Sequence, residues 1–379
     1  MNDAASTESA RPQLQALLPE QLQAWLESRG VPCALREARS ILAREIACLA
    51  HERPKRETVR RSVREAVSEL VDHPRLTVVE RVEDPSDGFV KYLLRSPDGA
   101  LSEAVRIPLE RPDTFTVCLS SQVGCAMACD FCATGRLGLT RNLAAWEMVD
   151  AFLTVRDEAP GRLTGAVFMG QGEPLHNYDA VIQAARVLSD PNGGRIKAEA
   201  ITISTVGLVP QIRRYSREGH RFRLIVSLSS AIEERRATLM PVTRKYGVKE
   251  LADAIREVAR STGDRVTVAW VVMAGVNTGD DEVEALRELL GDVPLRVNLI
   301  DVNDARPDGY RRPDDAELAR FRDALGTLGV PVVRRYSGGQ ARHAACGMLA
   351  AQRFADDERE AQASAASPAT SRSTSSGPL

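Results

Sequence analysis

Three thiols stand within one short stretch, VGCAMACDFCATG at 123–135: Cys125, Cys129 and Cys132, spaced C-x3-C-x2-C. Thiols at such spacing hold metal. A structural zinc site takes four ligands, usually from two separated pairs. Only three are local here, so the zinc alternative needs a distant cysteine such as Cys346. Three thiolates around a [4Fe–4S] cube leave one iron without a protein ligand, open to a substrate or cofactor. A second chemical stretch is MGQGEP at 169–174. Its glycines let backbone approach a ligand closely, and the Glu173 carboxylate can accept from an ammonium group.

These residues need elements to position them. Apolar, β-rich runs recur as FTVCLS (115–120), GAVFMG (165–170), AITIST (200–205), FRLIVSLS (222–229), VTVAWVV (266–272) and LRVNLI (295–300), with helical patterns between them. Six strand–helix units in series predict an α/β fold, a parallel sheet closed or partly closed into a barrel. Each strand reads as a continuous apolar run, as expected when both faces are buried. The thiol cluster then follows the first barrel strand, and Glu173 follows the second. Active sites of such barrels are built from the loops at these C-terminal strand ends.

Around this core (114–355) the chain divides further. Residues 1–12 and the Ser- and Ala-rich tail 356–379 cannot bury a core and are expected to be disordered. Helical spacing at 17–30, 36–50 and 57–71 predicts a small helical domain over 13–75. Short β runs separated by SDG and PDG turns predict a β-hairpin extension over 76–113.

Composition bounds the protein class. The chain has 379 residues, 43% hydrophobic and 27% charged, as in ordinary globular proteins. The N-terminus is polar and no apolar run approaches the ~20 residues of a membrane span, so a cytoplasmic protein is expected. In that reducing compartment seven cysteines are not a disulfide framework. Cys33 and Cys48 fall in the helical domain and read as packing residues. The net charge of −2 does not advertise nucleic acid, but two basic runs, RPKRETVRRSVR (53–64) and RRYSREGHRFR (213–223), are compatible with phosphate contacts.

With these residues in order, the chain resembles the radical S-adenosylmethionine (SAM) superfamily, and within it the RlmN/Cfr family of RNA adenine C-methyltransferases. SSQVGCAMACDFCATG, RNL (141–143), EAVRIP (103–108), ITISTVGLVP (201–210), VSLSSA (226–231), RVNLI (296–300) and AACG (344–347) all fall in family order. The resemblance implies a partial (β/α)6 TIM-like radical SAM barrel. It implies one [4Fe–4S] cluster on Cys125, Cys129 and Cys132, and two SAM molecules per turnover. One SAM methylates a cysteine, here Cys346, and the second yields the 5′-deoxyadenosyl radical that activates this methyl group for addition to adenine C2 or C8. Cys118 would resolve the adduct through a transient disulfide with Cys346. Glu103 matches the proposed proton acceptor, and whether Glu103 or Cys118 removes the base proton stays open. SAM contacts would come from Gly172, Glu173, Ser204, Ser227, Leu228, Ser229 and Asn303.

The implied partners are ribosomal or transfer RNA, gripped by the N-terminal helices and basic runs, and a flavodoxin-type electron donor. A monomer suffices. Three departures touch the pocket. Ser229 stands where the family has histidine, Asp301–Val302–Asn303 where it has Pro-Trp-Asn, and Arg342 and His343 precede Cys346 where acidic and apolar residues are usual. Two alternatives remain: a methylase of the same mechanism acting on a small molecule or peptide, and a zinc or redox iron–sulfur protein without methyl transfer.

Overall fold

The computed structural model describes residues 11–49, 58–304 and 306–335, with the isolated residues 338, 345 and 348. The N-terminal part holds α1 (Pro19–Ser28), α2 (Leu35–Leu42) and α3 (Arg61–Leu70). Leu22 and Leu26, one helical turn apart, put the buried face of α1 inward. Gln21 reaches back to the Leu18 N–H (2.8 Å), and Gly30 at φ +76° ends the helix in a left-handed turn. The pattern at 36–50 is not one helix: after Leu42 the chain widens into a π-helical turn, Ala43–Ala47. Arg60 closes this unit by forking onto buried Glu37 (2.8 and 2.6 Å), which it holds at a pKa of about 2.

Next come β1 (Thr77–Glu83), β2 (Val90–Arg95), β3 (Leu101–Pro108), β4 (Thr114–Leu119), β5 (Gln122–Cys125), α4 (Ala133–Arg136), β6 (Gly138–Asn142), α5 (Ala145–Glu158), β7 (Arg162–Phe168) and α6 (Tyr178–Ser189). The remainder is β8 (Ile201–Thr205), α7 (Val209–Glu218), β9 (Arg223–Ser227), α8 (Glu233–Leu239), α9 (Val248–Thr262), β10 (Val266–Val272), α10 (Asp280–Leu290), β11 (Leu295–Asp301), α11 (Asp315–Gly326) and β12 (Val332–Arg335). One ten-stranded sheet runs β1-β2-β3-β4-β7-β8-β9-β10-β11-β12. From β4 onward neighbouring strands are parallel, the order of a partial (β/α) barrel. The six expected strands are present, and β12 adds a seventh.

The hairpins are not an appendage. β3 pairs antiparallel with β4 from Ala104↔Leu119 to Pro108↔Phe115, so they extend the barrel sheet itself. The helical region likewise shares one apolar cluster with the barrel, from Leu14 and Leu22 to Val149 and Phe152. Asp150 of α5 reinforces the join, accepting from the Leu76 N–H at 2.7 Å and pairing with Arg75 at 3.0 Å. Among the described residues no helix is long and apolar enough to cross a membrane.

The strands are buried on both faces, as their apolar runs predict, but the two faces differ in residue type. Their outward residues, such as Val117, Phe168, Ile203, Val226, Val268 and Val297, join the main core. The alternate, inward positions mix small or polar residues, Cys118, Thr202, Ser204, Ser227, Ala269 and Asn298, with the apolar Val167, Ile225, Val271 and Ile300. Both faces of the strands are thus largely buried, and the smaller and polar inward residues leave room at the C-terminal ends for a cavity.

Candidate active site

At the C-terminal strand ends a cavity is lined by Cys125, Cys129 and Cys132, by Gly170, Gly172 and Glu173, and by Ser204, Ser227, Asp301 and Asn303. The three cysteines are presented by a device the sequence did not reveal. β5 and β6 form a small antiparallel ribbon that closes the cysteine loop at its base. Gly124 sits there at φ +77°, where a Cβ would lie 2.0 Å from the Gly138 carbonyl oxygen. The RNL triplet is the clasp. Arg141 forks onto Glu147 (both contacts 2.9 Å) and pairs with Asp98 (2.7 Å), while Asn142 accepts from Gln122 Nε2 (2.7 Å).

The thiols are not set for nucleophilic attack. Burial pushes Cys125 up to about 12, and raises Cys129 and Cys132 as well. A reactive cysteine shows the opposite shift. A metal replaces the proton and reverses this logic. Among the described residues no group of three His, Cys, Asp or Glu side chains is placed to hold a single metal ion. In a cube each thiolate binds its own iron, which requires the wider spacing of a shared cavity wall. Three cysteines on one cavity wall fit a [4Fe–4S] cluster held by three thiolates, and Cys346, the fourth ligand a zinc site would need, lies outside the described residues.

Opposite them, Glu173 is buried and accepts from the backbone N–H groups of Leu175 (3.0 Å) and Val206 (2.8 Å). Burial raises it to about 7 against these two bonds. The glycines before it are required sterically. A Cβ on Gly170 would lie 2.8 Å from the Leu119 backbone, and Gly172, at φ +100°, would drive one to 2.6 Å from Gln122 Cβ. Gly172→Ala is therefore expected to lower unfolding stability by about 2 kcal/mol or more, read as a fall in the urea midpoint. Two buried acceptors, Asp301 Oδ1 at the cavity and Asn298 Oδ1 on the inner barrel face, have no partner among the described residues. Such atoms suit the hydroxyl and amino donors of a nucleoside.

Comparisons with known proteins agree with this geometry. The radical SAM superfamily model matches residues 119–290. A "Probable RNA methyltransferase" of Anaeromyxobacter sp. is 52% identical over 89% of this chain and 98% of its own length. A "Probable dual-specificity RNA methyltransferase RlmN" of Synechococcus elongatus is 41% identical over 91% of this chain and 94% of its own. This chain belongs to the RlmN-type radical SAM RNA methyltransferases. The crystal structure of a radical SAM methyltransferase from Sphaerobacter thermophilus has the same fold, with a TM-score of 0.80, 38% identity and coverage of 90% of this chain and 99% of that one.

The residues expected from the RlmN family fall into three groups. Gly172, Glu173, Ser204, Ser227 and Asn303 line the cavity together with the cysteines. Leu228 and Ser229 are fully buried beside it and do not line it. Ser229, at φ +55°, accepts from the Val271 N–H (3.3 Å), and buried Asn277 donates to its carbonyl (2.6 Å). Serine in place of the family histidine thus serves the turn. Asn303, which the Asp-Val-Asn departure retains, donates to the Asp301 carbonyl (3.1 Å) and is held by Arg312.

Glu103 and Cys118 form the second group, on the inner barrel face. Glu103 is buried, paired with Lys91 (3.4 Å) and bonded by Gln171 Nε2 (2.8 Å). Cys118 packs with Phe89 and Val105, its neighbour across β3–β4. The third group lies outside the described residues: Cys346, with Arg342 and His343. Cys33 is buried in the helical core, in keeping with a packing role, and Cys48 is half-buried after the π-turn.

Three further features carried no sequence signal. Lys91 is one. Another is Arg306, which binds Asp304 (2.6 Å) and the Asp130 carbonyl (3.0 Å) and so clips the segment after β11 to the cysteine loop. The third is Arg236, whose side chain is buried against the ends of β8 and β9. The basic run at 213–223 also reads differently in three dimensions. Arg213 pairs with Glu257 (3.0 Å), Arg214 with Asp179 (2.6 Å), and Arg221 with Glu199. Its last residues enter β9 from the end remote from the cavity. Its charges are largely paired within the fold.

Proposed function

We propose that the enzyme methylates an aromatic carbon of adenine, C2 or C8, in ribosomal or transfer RNA, through an S-methylcysteine at Cys346. The observation that carries this reading is the cavity lined by Glu173 and three cysteines, two of them buried and Cys132 half-buried, with Cys118 and Glu103 on the same inner barrel wall. Adenine C2 and C8 are electron-poor amidine carbons that do not attack an electrophilic methyl group, so polar methyl transfer fails there. A cluster held by Cys125, Cys129 and Cys132 would bind the methionine end of SAM at its open iron and supply the electron that cleaves the sulfonium.

The chain's own residues do the rest. Glu173 would accept from the SAM ammonium, and Gly172 keeps the approach open. Ser204, Ser227 and Asn303 would contact the remainder of SAM at neighbouring strand ends. Lys91 and Gln171 hold the Glu103 carboxylate in place, where it would take the proton from the base carbon. Cys118 would attack the sulfur of Cys346, the S–S bond forming as the S–CH2 bond to the base breaks; the electron pair goes to the base-bound carbon, which takes up a proton to become the methyl group, and a reductant must reopen the disulfide. A base inside RNA must be flipped out to reach this wall. We assign the RNA contacts to the helical region 13–75 and the electron supply to a flavodoxin-type donor, with the enzyme acting as a monomer.

The test is nucleoside mass spectrometry on separately purified ribosomal and transfer RNA, with and without the gene. Loss of 2-methyl- or 8-methyladenosine from either pool is the expected result and identifies both atom and RNA class. No change in either pool would turn the assignment toward a small-molecule or peptide substrate.

A further inference from the structure

Arg236 sits on α8 and points into the fold beneath the cysteine loop. Its guanidinium is buried, and every acceptor it has is neutral. Nε donates to the Leu228 carbonyl (3.0 Å), Nη1 to Thr243 Oγ1 (2.6 Å), and Nη2 to the carbonyls of Val206 (2.6 Å) and Ser227 (3.1 Å). Among the described residues no carboxylate lies within ion-pair distance of it. Glu173 accepts from the N–H of the same Val206 whose carbonyl Arg236 binds, so the two groups hold opposite sides of one peptide rather than each other. A buried cation with only neutral partners costs several kcal/mol, and folds avoid it unless an anion is close.

Two groups able to carry negative charge stand near it: Glu233, earlier on α8, whose carboxylate accepts from the Val248 N–H (2.8 Å) and lies beyond ion-pair distance, and Cys129 of the cysteine loop. The helix that carries Arg236 packs on the cysteine loop. Leu239 and Met240 touch Cys129 in one apolar cluster, and the Asp130 N–H donates to the Leu239 carbonyl at 3.0 Å. Cys129, Val206 and Ser227 line the same cavity, and Arg236 binds the carbonyls of the last two, so its charge stands directly behind the wall that carries the Cys129 sulfur. As a thiol, Cys129 leaves the cation with Glu233 alone, at more than ion-pair distance. As an iron-bound thiolate, on a cluster of net negative charge, it supplies the missing partner.

We propose that Arg236 is the built-in counter-charge of the cluster, favouring its reduced, more negative form. This rests on the cluster reading given above. A fixed positive charge in a low-dielectric wall stabilises the state carrying one more electron. Removing the charge should therefore make the cluster harder to reduce, while a change that only loosens backbone contacts should not.

The experiment is a redox titration of the anaerobically reconstituted protein, followed by the electron paramagnetic resonance of the reduced cluster. Iron and sulfide content are measured first. A wild-type protein that binds no cluster defeats the cluster reading itself. Given a cluster, Arg236→Gln is expected to lower the reduction equilibrium constant at least tenfold, 59 mV for a one-electron couple. Arg236→Lys keeps the charge and loses the fork, and should stay near the wild-type potential. Thr243→Asp keeps Arg236 and its carbonyl bonds but places a carboxylate against Nη1, and should shift the potential in the same direction as Arg236→Gln. If Arg236→Gln does not fold, the Thr243 variant decides. A wild-type potential in either charge-cancelling variant overturns the proposal. So does loss of the cluster from Arg236→Lys, which would make the residue a backbone staple only.

Discussion

Glu173→Gln is expected to weaken SAM binding by roughly 30-fold to several thousand-fold, because truncating one side of a buried charge pair costs about 2–5 kcal/mol. The carboxylate accepts from two backbone N–H groups, and an amide must turn its NH2 toward one of them. The wild-type enzyme should also show a pH dependence that the variant lacks. Burial raises Glu173 to about 7, and an ammonium group is bound by the ionised form. SAM affinity should then be highest between about pH 7 and 8, below the loss of the α-amino proton of SAM at about 7.7–8.0, and fall about tenfold for each unit below 7. Folding stability without SAM runs the other way. A carboxyl raised in the folded state contributes stability that is present below about pH 4.5 and lost as pH rises through about 7. The span is about 3 kcal/mol at 1.36 kcal/mol per unit. Equilibrium dialysis of SAM at pH 6, 7 and 8, paired with urea unfolding of the SAM-free protein, checks both signs. A flat affinity profile would remove Glu173 from the ammonium contact.

The pair Cys346→Ala and Cys118→Ala separates the two halves of the proposed reaction. Cys346→Ala should reduce methyl transfer to the detection limit while SAM is still cleaved, because the cluster cavity and Glu173 are untouched. Cys118→Ala should accumulate a covalent protein–RNA adduct, since the thiol that releases it is gone. Cys118 is buried beside Val105 and Phe89, and loss of one sulfur there leaves only a small void, so the fold should persist. The readouts are 5′-deoxyadenosine formation, and a gel shift that survives denaturation and disappears on RNA digestion. Methylation by Cys346→Ala would refute the S-methyl intermediate. A fully active, adduct-free Cys118→Ala would refute the resolving role.

Much of the chemistry was legible in one dimension because it resides in local spacing. C-x3-C-x2-C and the Gly-Gln-Gly-Glu-Pro turn each lie within a few residues of one strand end, and strand order places those ends on one rim. The six barrel strands announced themselves through runs of Val, Ile and Leu, whose outward halves pack on helices. The inner face was hidden in the same runs. Thr202, Ser204 and Asn298 alternate with larger apolar neighbours, and only the curvature of the sheet turns that minority into a wall.

What tertiary structure alone decided are the partners of charges far apart in sequence. Lys91 meets Glu103 because β2 pairs with β3, and Gln171 joins them from β7's loop. Arg306 reaches Asp130 across 176 positions. The basic run at 213–223, which in the sequence looks available to phosphate, finds acids on α6 and α9. Arg236 shows the same principle most plainly. A helical arginine in EERRATL reads as a surface charge, and nothing local says that α8 will lie under the cysteine loop with that side chain turned inward. Coulomb's law and desolvation act through space, so the identity of a charged residue fixes what it can do, and packing determines what it meets.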